Sequence, residues 1–422
     1  MRRGRLPIVM SAHITAALMV LVWAAPIGAQ TMPEFAAPPV FHTSKLFPGI
    51  VLTGSNYRIE EWVHNDGYLN VYQLTTPYGT FDVKSTALLN IRLQELHAIQ
   101  QMEEIERGDA FGKALGRAAT SPVRLAGAML TDPVTTTTGV FKGVGSWVSN
   151  VGHSIFGSPS EQEAGTFSTL VGYADAKRAT AFRFGVDPYS SFKPLQAEIS
   201  DIAQASFAGG LVVTVAFVPI PGVGGMVVRG TKLGKQMNQR ILDNPPAELK
   251  KLNGRILRKM GVDDSIVRTF LDHPKYSPTR TTYLVGSMEQ MNAVPGRSIM
   301  IERATLAQDE TAAFYFEREA ELMAGYHLNV APARRVVQLG DFPAIQTAAG
   351  VLVVIFPFDH LAWTVDLASK ADGSADRAAA QIPDVTGKEV WVEGTVSLMA
   401  RRNIEARGWT VRENVGQRLA LR

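Results

Sequence analysis

Residues 57–83, YRIEEWVHNDGYLNVYQLTTPYGTFDV, read as three β-strands joined by two turns. Tyr57-Arg58-Ile59 leads through Trp62-Val63 to Asn65-Asp66-Gly67. Such a run between β-forming residues marks a hairpin, because Gly takes positive φ without steric cost. Tyr68 to Leu74 forms the return strand. Thr76-Pro77-Tyr78-Gly79 supplies the second turn, and Thr80 to Val83 the third strand. Ser85 is placed to cap a helix in which Leu88, Leu89, Ile91, Leu93, Leu96, Ile99, Met102 and Ile105 recur at helical spacing up to Gly108. Asp109 starts a second helix reaching Ala119, which Ser121-Pro122 stops.

Further along, Phe184-Gly185-Val186-Asp187-Pro188 and Met260-Gly261-Val262-Asp263-Asp264 each follow a helical stretch. Gly stands where a left-handed residue ends a helix, the apolar residue folds back, and Asp restarts the chain. Ser277-Pro278 places a cap and a first-turn proline before a helix over 279–291. Asp309 to Gly325 is another helix. Val351 to Phe356 is a buried-strand run and Val390-Trp391-Val392 a second strand. Ser397 caps a helix that Gly408 ends, and Trp409-Thr410-Val411 makes a third strand. The expected fold class is α+β: a β-meander with helices over 49–130, a Gly/Ser/Thr-rich connector over 131–165, a helical region over 166–292, and a mixed α/β unit over 293–422.

The N-terminus carries a different signal. Arg2, Arg3 and Arg5 precede uncharged, mostly apolar sequence from Leu6 to Ala25, and Pro26-Ile27-Gly28-Ala29 leaves small residues at a cleavage point. Residues 1–29 therefore read as a signal peptide, with export to the periplasm, outer surface or medium of a Gram-negative cell; the alternative is an uncleaved N-terminal anchor. Residues 30–48, rich in Pro and Ala, read as a linker. The chain has 42 Lys+Arg and 39 Asp+Glu; the leader holds three arginines and no acid, leaving 39 of each. A neutral mature chain lacks the basic excess of a nucleic-acid binder. With no cysteine, disulfides, thiolate metal sites and cysteine nucleophiles are excluded.

Residues 203–228 contain no charge. They read as an apolar hairpin turning at Pro219-Ile220-Pro221-Gly222, either buried or inserted in lipid. The part before Pro219 is shorter than the ~20 residues a membrane span requires. Nine basic residues between Arg229 and Lys259 face only Asp243 and Glu248. An anionic membrane surface is thus an alternative partner, met through Phe207, Leu211, Val215, Phe217, Lys232 and Lys235.

No complete catalytic motif is present. The Gly225 to Lys232 stretch misplaces the P-loop lysine, and Gly222-Val223-Gly224-Gly225 lacks the third dinucleotide glycine. His97 with Glu95, Glu103 and Glu104 reads as a structural histidine on a charged helix face. The best metal candidate joins Glu321, His327, Asp359 and His360, with Glu317 and Asp366 nearby. Its bland alternative pairs Glu317 and Glu321 with Arg318, Arg334 or Arg335 on a solvated face. No cofactor is expected. Trp62, Tyr68, Tyr72 and Tyr78 are candidate binding contacts on the meander; the alternative is that they only pack on the Phe81–Ile105 region.

The Phe217-Val218-Pro219-Ile220-Pro221-Gly222-Val223-Gly224 corner resembles linker regions of bacterial secreted polymorphic toxins. More broadly, the Asn65-Asp66-Gly67 hairpin, the Phe81 to Leu96 helix entry, Gly185-Val186-Asp187-Pro188-Tyr189 and the Trp391 to Trp409 ending resemble a group of exported bacterial proteins without assigned function. That resemblance implies an architecture and no activity. The expected function is an exported, non-enzymatic binding or structural protein whose partner is a protein or envelope component. The alternatives are a membrane-active protein and a metal-dependent enzyme.

Overall fold

The meander forms as the sequence predicts, within a larger antiparallel sheet. In the computed structural model, which describes residues 34–47, 50–120, 168–214, 232–371 and 380–421, strands β3 (Trp62–Asn65), β4 (Asn70–Thr76) and β5 (Gly79–Lys84) run antiparallel. The chain divides into two compact units, Met1–Glu34 and Phe35–Arg422, and the second is the one described. The leader at 1–29, the connector at 131–165, and residues 215–228 of the apolar stretch lie outside the described residues.

The first hairpin is pinned by its own side chains. The Asn65 carboxamide oxygen accepts from the Gly67 amide at 2.8 Å, and Asp66 accepts from the amides of Tyr68 and Leu69 at 3.0 and 2.8 Å. Gly67, at φ +106°, occupies a conformation that a Cβ would strain. β2 (Arg58–Ile59) also pairs with β4. The reading of 30–48 as linker is corrected over its described part: β1 (Val40–His42) pairs with β3, followed by the single turn α1 (Thr43–Leu46). That strand exists because a partner distant in sequence supplies its hydrogen bonds, which local Pro and Ala content cannot reveal.

Helix α2 (Thr86–Glu106) covers the sheet, with Leu89, Leu93 and Leu96 fully buried in the cluster that holds Tyr72, Leu74 and Val83. α3 (Asp109–Thr120), α4 (Ser168–Arg183) and α5 (Lys193–Gly209) follow. Both glycine corners close as Schellman ends. Gly185 and Gly261 have φ of +71° and +83°, and the Val186 and Val262 amides donate to the carbonyls of Ala181 and Leu257. Asp263 caps the following helix, but Asp187 does not: its carboxylate accepts from the Tyr189 amide and the Thr279 hydroxyl.

The helical middle continues with α6 (Lys232–Asp243), α7 (Pro246–Lys259), α8 (Asp264–Leu271), α9 (Pro278–Gln290), α10 (Ser298–Ala304) and α11 (Glu310–Asn329). A second sheet then forms from β6 (Ala333–Leu339), β7 (Phe342–Thr347), β8 (Val351–Phe356), β10 (Gly387–Val392) and β12 (Thr410–Arg412), in the order β12-β10-β8-β7-β6. β8, β10 and β12 are parallel; β6, β7 and β8 are antiparallel. The short strands β9 (His360–Leu361) and β11 (Thr395–Val396) pair beside it. Helices α12 (Val365–Lys370), α13 (Leu398–Ala406) and α14 (Gly416–Leu419) complete the chain.

The second sheet is buried on both faces. Val353, Ile355 and Trp391 join the helical cluster around α9 and α11, whereas Leu352, Val354, Val390 and Val392 join α12 and α13 on the other side. A strand enclosed on both sides reads as a continuous apolar run, which is why VLVVIF at 351–356 is so plain in the sequence. The expected α+β class, with an N-terminal antiparallel sheet and a C-terminal mixed one, is the observed architecture.

Candidate functional site

Four capped or corner structures deliver polar side chains to one cavity of about 430 Å³. Arg92 and Glu95 lie one turn apart on α2. The corner after α4 brings Asp187, Ser190 and Ser191. The Ser277 hydroxyl accepts from the Arg280 amide and so starts α9, which places Thr279 and Arg280 in its first turn. The Asp309 carboxylate does the same for α11, setting Glu310 at the positive end of that helix and Glu317 two turns further on.

These groups are cross-linked by charge. Arg92 meets Glu95 at 2.6 Å and Glu310 at 2.9 Å; Arg280 meets Glu310 and Glu317 at 3.1 Å each. The Ser191 hydroxyl donates to Glu310 at 2.9 Å, and the Ser190 hydroxyl donates to Glu95. Burial opposes the charge on Glu310, but Arg92 and Arg280 outweigh it and hold its carboxyl down at about 2. Asp187 behaves in the opposite way. Burial pushes its carboxyl up to about 6, and the Thr279 hydroxyl at 2.6 Å and Tyr189 amide at 2.8 Å only partly offset this. One rim thus carries a carboxylate fixed in its charged form beside another that changes charge near pH 6. Such divergence between neighbouring titratable groups in a cavity makes this a candidate site.

The metal candidates do not converge. Glu321 pairs with Arg318 at 2.7 Å and accepts from the Leu421 amide. The His327 ring accepts from the Ala333 amide at 2.9 Å, His360 bonds Thr395 at 2.7 Å, and Asp359 accepts from the amides of Asn70 and Thr86. Among the described residues no group of three or more His, Asp or Glu is placed to hold a metal ion. Each candidate already has other hydrogen-bond or ion-pair partners. The solvated-face alternative is corrected too: Glu317 and Glu321 are buried, with Arg280 and Arg318 as partners. Glu95 likewise is buried rather than part of a charged helix face.

The aromatic candidates separate into two kinds. Trp62 is 59 % exposed. Tyr72, by contrast, is fully enclosed, its hydroxyl bonded to Thr86 and Asn70, so its reading as a surface contact is corrected: it points to the α2 side of the sheet. Tyr68 packs on Phe358 at 4.8 Å and donates to Asp366, and Tyr78 meets Phe192 edge-on at 5.9 Å.

Of the membrane candidates, Val215 and Phe217 lie outside the described residues, as does the side chain of Lys232. Phe207 packs beside Tyr173, Leu211 packs against the first core, and Lys235 is exposed on α6. The cationic tract meets acids beyond it: Arg240 pairs with Glu289, Lys250 with Asp272 and Arg258 with Asp264. No described helix is long and apolar enough to cross a membrane.

Sequence reasoning missed the cavity. A signal was available in Arg92 and Glu95, which interrupt the apolar stripe of Leu89, Leu93 and Leu96. Comparison with known proteins adds no assignment: no family model, curated protein or solved structure matches the chain.

Proposed function

We propose that this is an exported, non-enzymatic binding protein of the periplasm or cell surface, and that its ligand is a small molecule held in the cavity beside Arg92, Asp187, Arg280 and Glu310. The observation that carries this reading is the cavity itself. Its 430 Å³ falls within the range of small-molecule sites, and its wall combines apolar side chains with many polar and charged ones. The guanidiniums and carboxylates are tied to each other before any ligand arrives. That arrangement fits recognition by a preformed surface, which avoids the cost of ordering side chains on binding.

Thermal-shift screening of the purified chain against small polar metabolites tests the site. A bound ligand raises the melting temperature, by about 2.7 kcal/mol of stabilisation at a hundredfold excess over Kd. Ile91→Trp, which fills the cavity wall, abolishes the shift. Stabilisation unchanged in that variant would overturn the assignment. For location, the expected product is a chain processed after Ala29 in the envelope or medium; unprocessed protein in the cytosol would contradict it.

A further inference from the structure

The arrangement of charge around the cavity differs from one carboxylate to the next. Glu95, Glu310 and Glu317 share the two guanidiniums of Arg92 and Arg280 in a closed network. Asp187 stands beside that network, and its hydrogen bonds come from neutral donors, the Thr279 hydroxyl and the Tyr189 amide. Four carboxylates line the cavity against Arg92, Arg280 and the solvent-exposed Arg183. Phe182, Tyr189 and Tyr283 also line it, and aromatic faces attract cations more strongly where water is excluded.

We propose that the cavity takes a small organic cation of the alkylammonium class, with Asp187 as its counter-ion and the Phe182 and Ile241 side of the wall receiving the hydrocarbon stem. This rests on the cavity being the binding site. An ammonium group donates to the Asp187 oxygens and compensates the carboxylate that burial otherwise penalises. The two arginines are not competitors for Asp187, since the glutamates hold them. A dianion of similar size would meet three glutamates already gathered on Arg92 and Arg280.

Asp187 must be charged to do this. The charged groups sharing the cavity with it are Arg183 at the end of α4, Arg280 on α9, Glu95 with Arg92 on α2, and Glu310 with Glu317 on α11; Arg280 favours its charge and Glu95 opposes it. Since the free carboxyl titrates near 6, cation binding releases a proton from Asp187 at pH 5.5 and releases almost none at pH 8. Affinity therefore rises with pH through that window and then levels off.

Titration calorimetry of the purified full-length chain with 1,5-diaminopentane, 1,5-pentanediol and glutarate tests the proposal. The diamine is expected to bind at least tenfold more tightly than the diol, and glutarate more weakly still. Repeating the diamine titration at pH 5.5 in buffers of different ionisation enthalpy is expected to show proton release by the unaltered protein. Asp187→Asn, which keeps the shape, is expected to lower diamine affinity at least tenfold and to leave the diol unchanged. Equal or tighter binding of the diol or glutarate overturns the cation inference while the cavity reading stands. Absence of diamine binding, or binding without proton release, also overturns it. Loss of every ligand response, including in the metabolite screen, overturns the cavity reading as well.

Discussion

The Asp359 carboxylate accepts from the Thr86 amide through both oxygens, at 3.1 Å, so a residue of the C-terminal unit caps the first long helix from 273 positions away. Ser85 supplies the ordinary cap to Leu88, and Asp359 satisfies an amide that the helix itself leaves without a partner. The same carboxylate accepts from Asn70 at 2.9 Å, which ties the strand end to the helix start.

This arrangement has a pH signature. Burial pushes the Asp359 carboxyl from the ordinary 3.8 up to about 7, despite the lowering effect of its hydrogen bonds. A folded-state value above the unfolded one means that its stabilisation is complete below pH 3.8 and is lost as pH rises to about 7. Asp359→Asn should cost about 1–3 kcal/mol in acid, and the gap from the parent should narrow towards neutral pH. Urea denaturation at pH 4.5 and 7.5 measures it; a gap that widens with pH contradicts the assignment.

Glu310 has the reverse signature. Its carboxyl sits at about 2 against an ordinary 4.5, so its contribution is present above pH 4.5 and disappears as pH falls towards 2. Glu310→Ala takes one acceptor from buried Arg92 and from partly buried Arg280, which keep Glu95 and Glu317, and is expected to cost about 1–3 kcal/mol at pH 7. The loss should shrink in acid, as followed by denaturation midpoints down to pH 3.

Two aromatic substitutions on the first sheet should differ sharply. Tyr72→Ala empties a fully enclosed site and is expected to cost about 3–5 kcal/mol, whereas Trp62→Ala at an exposed position should stay within about 0.5 kcal/mol. Calorimetric melts of both variants decide whether the burial assignments hold. Trp62 remains the aromatic suited to an external partner.

Gly325→Ala should destabilise through space rather than through conformation. The added Cβ would collide with the Leu419 carbonyl, where α14 crosses α11, and no flexible side chain stands there to give way. A loss of about 1–3 kcal/mol is expected. Gly112→Ala, on a helix face with open space, is the control and should be neutral or slightly stabilising.

Local signals were legible and non-local ones were not. The caps at Ser85, Ser277 and Ser397, the glycine corners, and the β10–α13–β12 strand–helix–strand unit follow from rules acting within a few residues, and all are present. The hairpin of β6 and β7 escaped because Arg334, Arg335 and Pro343 interrupt its alternation. The charged cavity escaped for a related reason. Buried Arg92, Glu95 and Glu317 and half-buried Glu310 look like surface residues until α2 and α11 are brought together. The metal grouping failed in the opposite direction: suitable residue types occurred near one another in sequence, but each was already bonded elsewhere.

The first hairpin is closed by the segment that follows β8. The Tyr68 carbonyl accepts from the Asp359 and His360 amides, and the Gly67 carbonyl from Ala362. During synthesis the turn exists long before its partners do, and the Asn70–Asp359 link spans 289 residues. Closing so long a loop is slow, and until then this edge must rely on water for its hydrogen bonds. A truncated or stalled product therefore keeps an unfinished, adhesive strand end, and the last quarter of the polypeptide acts as the latch on the first.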